Sequence, residues 1–153
     1  MLRKLLRSLY LLALLAAWPW ATSMAQDGAT TQGLEIRGFR VQVEMATTTE
    51  SRARGLMFRK RLEPDHGMLF VFDAPETICM WMRNTPLPLS VAFISSDGHI
   101  INIADMTPLS DQPHCSHRPA VYALEMAQGW FTNRGVGQGQ FIKGLPGPKP
   151  PSH

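Results

Sequence analysis

The chain lacks most of the short signatures by which an enzyme or a nucleic-acid binder can be read from sequence. It has only two cysteines, Cys79 and Cys115, and no C-x-x-C pair, which argues against a thioredoxin-like redox centre. It contains no Gly-x-Ser-x-Gly elbow, no phosphate-cradling P-loop and no His-Glu-x-x-His zinc motif, so the familiar routes to acyl transfer, nucleotide hydrolysis and metalloproteolysis are missing. Its apolar runs are short. The longest, Leu9 to Trp18, has ten residues, about half of what a membrane span needs. There is no internal repeat.

That apolar run is flanked in a telling way. Arg3, Lys4 and Arg7 precede it, and Ser23-Met24-Ala25 follows it as a small-x-small site. This is the layout of a secretory leader, and it predicts cleavage between Ala25 and Gln26 and a periplasmic or secreted product. No cysteine lies near the cleavage site, so a lipid anchor is not expected, nor any other stable membrane anchor. The leader holds three of the 15 Lys and Arg and none of the 12 Asp and Glu, so the mature chain carries 12 of each. The formal charge of +3 therefore belongs to the precursor. A balanced chain without a basic stripe gives no footing for nucleic acid.

The remaining 128 residues suit one domain. Residues 26–33 (QDGATTQG) read as a flexible linker, and residues 144–153 (GLPGPKPPSH) as a disordered Pro-rich tail. Residues 34–143 are left as a single β domain. Phe39, Val41, Val43 and Met45 alternate with Arg40, Gln42 and Glu44, as in a half-buried strand. Thr47 to Glu50 has capping-box spacing and predicts a short helix through Arg52 and Arg54, stopped by Gly55. Met68 to Phe72 and Ile78 to Arg83 read as short strands. Asp97-Gly98 between two apolar runs is a hairpin signal. A two-residue turn there pairs Phe93 with Asn102, Ala92 with Ile103 and Ser90 with Asp105, and puts Ser90, Ala92, Ile94, Ile101, Ile103 and Asp105 on one face. Ala120 to Ala127 is a further strand, Gly129 to Arg134 a helical turn, and Gln140 to Ile142 a closing strand. The fold class is mainly β, a small sandwich or barrel with one or two short helices.

Four phrases stand in order along this body: RGLMFR (Arg54 to Arg59), GMLFVF (Gly67 to Phe72), MWMRNTPLPLSVAFI (Met80 to Ile94) and YALEM (Tyr122 to Met126). Together they closely resemble the family known as domain of unknown function 192, over roughly Leu34 to Ile142. The resemblance implies a compact jelly-roll-like sandwich and carries no established activity. Members of that family often have aspartate where this chain has Ser90, so any acid pair built on that position is lost here.

Two cysteines in an exported chain are read first as a disulfide, Cys79 to Cys115, with Cα atoms about 4.4–6.8 Å apart. A soft-metal reading competes for the same residues. His114, Cys115 and His117 lie within four positions, Cys79 adds a second thiol, and thiolate and imidazole suit Cu(I). A small hydrolase-like enzyme is a third reading, with Ser90, Thr85, Asp73, Glu76, Asp105 and Glu125 as its available groups. Catalysis is the weaker expectation, and no cofactor is expected. Non-catalytic binding of a small polar ligand, such as a sugar or short peptide, or of a protein partner fits best. Arg54, Trp81, Arg83, Asn84, Thr85, Asp105 and Glu125 are the candidate ligand-binding residues, around a cleft between the RGLM segment and the Trp81 to Thr85 strand end. The competing view is structural: Arg54 pairs with Glu125, and Trp81 and Trp130 are core.

Overall fold

In a computed structural model, which describes residues 30–147, nine strands and two short helices follow one another. The order is β1 (Thr31–Ile36), β2 (Phe39–Ala46), α1 (Thr49–Arg54), β3 (His66–Glu76), β4 (Cys79–Met80), β5 (Leu89–Ile94), β6 (Ile100–Met106), β7 (His114–Cys115), β8 (Ala120–Ala127), α2 (Trp130–Asn133) and β9 (Ile142–Lys143). The expected leader, its expected cleavage site and most of the stretch read as a Pro-rich tail lie outside the described residues.

Seven strands form one sheet in the order β6-β5-β8-β3-β2-β1-β9. All pairings are antiparallel except β2 with β3, whose parallel crossover carries α1. The two edges meet at one end: Ile142 N–H donates to Gly98 O at 3.0 Å, and Ile100 N–H to Gln140 O at 2.9 Å. The sheet is thus curled into a half-barrel, which hides part of each edge. β4 and β7 form a separate two-stranded ribbon.

Both faces of the sheet are covered. Leu34, Ile36, Val43, Leu69, Ala92, Ile94, Leu124 and Met126 fill the inside of the curl, closed by Trp130 and Phe131 of α2. Met68, Phe70, Val91, Phe93 and Ala123 form a second core on the outer face, under Leu56, Ile78 and Met82. This explains why GMLFVF does not alternate: β3 is central, and both of its faces are buried. Gly67 is needed there for space. A Cβ would come within 2.3 Å of Glu125 O and 2.5 Å of Met126 Sδ.

Several sequence expectations move. β1 begins at Thr31, inside the stretch read as a linker, because its backbone pairs with β2. At the other end Leu145 packs on the core and Tyr122 Oη–H donates to Pro146 O at 2.5 Å, so the start of the tail is seated. The capping box falls one residue later than its spacing suggested, with Thr48 as cap and Ser51 as its reciprocal partner. Gly55 ends the helix as expected. The hairpin keeps the expected pairs Phe93–Asn102, Ala92–Ile103 and Ser90–Asp105. Its turn, however, spans Ser95 to His99, and a bulge restores the register. The bulge puts Ile100 inside the curl and Ile101 in the outer core. Ile78 to Arg83 is not a full strand. Only Cys79 and Met80 pair, and the chain then turns, with Thr85 N–H donating to Met82 O at 3.0 Å.

Candidate ligand cleft

The outer face is not sealed everywhere. A cleft of about 200 Å³ opens between the α1–Met57 segment, the Cys79 to Thr85 limb and the ends of β3 and β8. Each wall has its own support. Arg52 donates to Val71 O at 2.8 Å and Thr47 O at 3.1 Å, and its guanidinium lies 5.2 Å from the Phe72 ring. Gly55, at φ +48, lets the chain turn across Phe70. Phe58 N–H then donates to Asn84 O at 2.8 Å, which stitches the RGLMFR phrase to the opposite limb. That limb is clamped at its base by the Cys79–Cys115 disulfide, and Met82 N–H donates to Ser110 O at 2.9 Å.

The disulfide is formed as expected, but its Cα atoms are 4.0 Å apart, closer than the usual range. Cys79 and Cys115 face each other directly across the β4–β7 ribbon, and directly opposed antiparallel residues approach most closely.

Five of the seven candidate residues line this cleft: Arg54, Trp81, Arg83, Thr85 and Glu125. Trp81 is 50% exposed, so it is not core. Arg83 lies 5.9 Å from its ring centroid and holds Asp111 through a 2.8 Å bond. Two candidates do not belong. Asn84 takes the left-handed φ of +56 and serves the turn, a role asparagine tolerates well. Asp105 faces the other way. It accepts from Ser90 Oγ at 2.5 Å, and Ser90 is opposite Met126, whereas Glu125 is opposite Val91. Neighbouring residues on a strand point to opposite faces. Ser90 and Asp105 are therefore remote from the cleft as a hydrolase pair. Ser90 Oγ also accepts from Gly129 N–H, which ties it to the start of α2.

Glu125 is the unusual member. It is 3% exposed. Burial alone pushes its carboxyl up to about 8, with no ion pair or hydrogen bond to offset it. The Arg54–Glu125 pair envisaged from sequence is not made. Among the described residues no fully sealed side-chain polar atom lacks a partner, so this unpartnered carboxyl opens onto the cleft. A buried acid in a cleft is the kind of group that marks a site.

Reading the phrases alone missed Arg52, Leu56, Met57, Phe70, Phe72 and Met80, which also line the cleft. The alternation of Met68, Phe70 and Phe72 on one face of β3 was the available signal for the floor. Trp130 sits elsewhere, donating from Nε1 to Asp65 at 2.8 Å. Arg59 pairs with Glu44 at 2.6 Å, outside the lining. For a metal, the disulfide removes the Cys79 and Cys115 thiolates from the set that included His114 and His117. Among the described residues no three His, Cys, Asp or Glu side chains gather to hold an ion.

Fold and cleft define a class of small β half-barrel with a disulfide-clamped limb over an open cleft. The chain belongs to the DUF192 family, described as an uncharacterized ACR, whose match covers residues 32–144. Two solved structures are similar. One, from Sinorhizobium meliloti 1021, is called a candidate transcription regulator; it is 36% identical, covers 76% of this chain and 95% of its own, and has a TM-score of 0.74. The other, a protein of unknown function from Novosphingobium aromaticivorans DSM 12444, is 30% identical over 78% of this chain and 89% of its own, with a TM-score of 0.72. No curated protein gives a significant match.

Proposed function

We propose that this chain is an exported, non-catalytic binding domain that holds a small polar ligand in the cleft floored by Glu125 and walled by Arg54, Trp81, Arg83 and Thr85. The observation that carries the reading is Glu125 itself. A carboxyl buried without a donor costs stability, and a ligand seated above it would supply the missing partner. The exposed Trp81 ring beside it offers a stacking surface at low conformational cost. Export rests on the leader of residues 1–25 and on the disulfide, which suits an oxidising compartment. Among the described residues no helix is long and apolar enough to cross a membrane.

The test is a thermal-shift screen of sugars, short peptides, organic acids and amines against the disulfide-bonded protein. A ligand of the folded state raises the melting temperature with its concentration. Hits are then mapped by amide chemical shifts and repeated with Trp81→Ala. The reading expects shifts at Arg54, Trp81 and Glu125, and loss of binding in the variant at nearly unchanged stability. A library without a single saturable hit, or hits that map to the inner face, would overturn it.

A further inference from the structure

The charged groups of the cleft are mostly guanidinium groups. Its charged lining consists of Arg52, Arg54, Arg83 and the single acid Glu125. The acids beside two of these arginines, Asp73 at 3.7 Å from Arg52 and Asp111 at 2.8 Å from Arg83, are not among the lining residues. A guanidinium donates hydrogen bonds and cannot accept them.

What Glu125 offers depends on its surroundings. On the same face, β3 brings Met68 and Phe70 beside it, and β5 brings Val91 and Phe93. Glu44, one strand beyond Met68 on β2, is paired with Arg59. From α1 and the Trp81 limb come Arg52, Arg54 and Arg83, and none of them ion-pairs with the carboxyl. An acid in such a place keeps its proton near neutral pH and acts as an O–H donor. The floor and the walls then both present donors.

We infer that the cleft selects a small carboxylate, whose oxygens are met by the Glu125 O–H and the Arg54 and Arg83 side, and whose short apolar or ring body lies against Trp81, Met80 and Phe72. This rests on the binding reading above and narrows it. A cleft of about 200 Å³ is smaller than the roughly 300–1,000 Å³ of drug-sized sites, so the body is one ring or a few carbons. An amine would have to pass three guanidinium groups. A neutral sugar brings no negative charge to the guanidinium groups.

A carboxylate cannot sit on an ionised Glu125. Affinity is therefore complete at pH values below the folded-state titration and falls as Glu125 ionises. For a group titrating at about 8, the protonated fraction drops about tenfold from pH 7 to pH 9, and the affinity drops by the same factor. The arginines stay charged throughout.

Two matched trios test this by NMR titration of the disulfide-bonded protein. They are glucuronate, glucose and glucosamine, and benzoate, benzyl alcohol and benzylamine. The expected result is that a carboxylate is the tightest member of its trio at the cleft, and that it weakens about tenfold from pH 7 to pH 9. Glu125→Gln, whose carboxamide donates without titrating, should bind the same carboxylate with no such loss. Tighter binding by a neutral or amine member overturns the inference while leaving the cleft a binding site. So does carboxylate binding that is flat or rises with pH in the wild type, a comparison that needs no variant to fold. If no member of either trio reaches the cleft, the carboxylate inference falls, and the wider screen alone decides the binding reading.

Discussion

Replacing Glu125 with glutamine should change how stability depends on pH, and the size of the change follows from burial. In the unfolded chain a glutamate titrates near 4.5, and in the folded protein Glu125 titrates at about 8. Between those values the folded state keeps a proton that the unfolded state has lost. Stability therefore falls as pH rises, by about 1.4 kcal/mol per pH unit. The contribution is complete below the unfolded value and gone above the folded one. From pH 5 to pH 8 it amounts to about 4 kcal/mol, a large share of the roughly 5–15 kcal/mol of a whole domain. Urea unfolding of wild type and Glu125→Gln at pH 5, 6, 7 and 8 isolates the term, because every other titrating group is common to both. The difference between the two curves should shift by about 4 kcal/mol in favour of glutamine across that range. Parallel curves would refute the reasoning, and would mean that Glu125 is solvated or finds a cationic partner.

Removing the disulfide with Cys79→Ala and Cys115→Ala should lower stability by about 4 kcal/mol in the chain-entropy account, given a sequence separation of 36; denaturant midpoints in unchanged buffer check it. The same double variant should loosen the Trp81 limb first, seen as faster amide exchange at Met82 and Thr85 than at β8. Gly67→Ala should cost several kcal/mol or prevent folding, because its Cβ meets the β8 backbone at 2.3 Å; soluble yield and circular dichroism report this. Arg83→Ala should leave the melting temperature nearly unchanged, since both it and Asp111 are more than half exposed, and should still weaken ligand binding at the cleft.

Elements whose local pattern agrees with their tertiary setting were legible from sequence. β2, β8, the β5–β6 hairpin and the Gly55 stop all follow from alternation, apolar runs or turn chemistry. What failed was decided by distant partners. β1 is polar and small-residue-rich, and becomes a strand because β2 and β9 lie on either side of it. The Ile78 to Arg83 run looks like a strand, yet only two of its residues have a pairing partner, since the β7 segment opposite is equally short. Within the site, Arg54, Trp81, Arg83, Thr85 and Glu125 could be named because polar and aromatic groups in otherwise apolar phrases invite that reading. Asn84 invited it equally, but a backbone φ of +56 is not visible in a residue name. Asp105 failed for parity: one residue along β6 decides which face a side chain takes.

The same parity shows what YALEM does. Tyr122, Leu124 and Met126 point into the curl and build the inner core, while Ala123 and Glu125 point to the outer face. Ala123 is small and apolar, as a covered sheet surface requires. Glu125 occupies the equivalent outward position, beside Met68 and Val91, where an apolar side chain would bury area at no electrostatic cost. An acid there without a donor weakens the fold at neutral pH, by the linkage worked out above. The surrounding architecture nonetheless leaves the cleft open over it: the Gly55 turn, the Phe58-to-Asn84 hydrogen bond and the Cys79–Cys115 clamp fix the walls in place around it. The geometry suits a carboxyl held ready for something that enters from solvent.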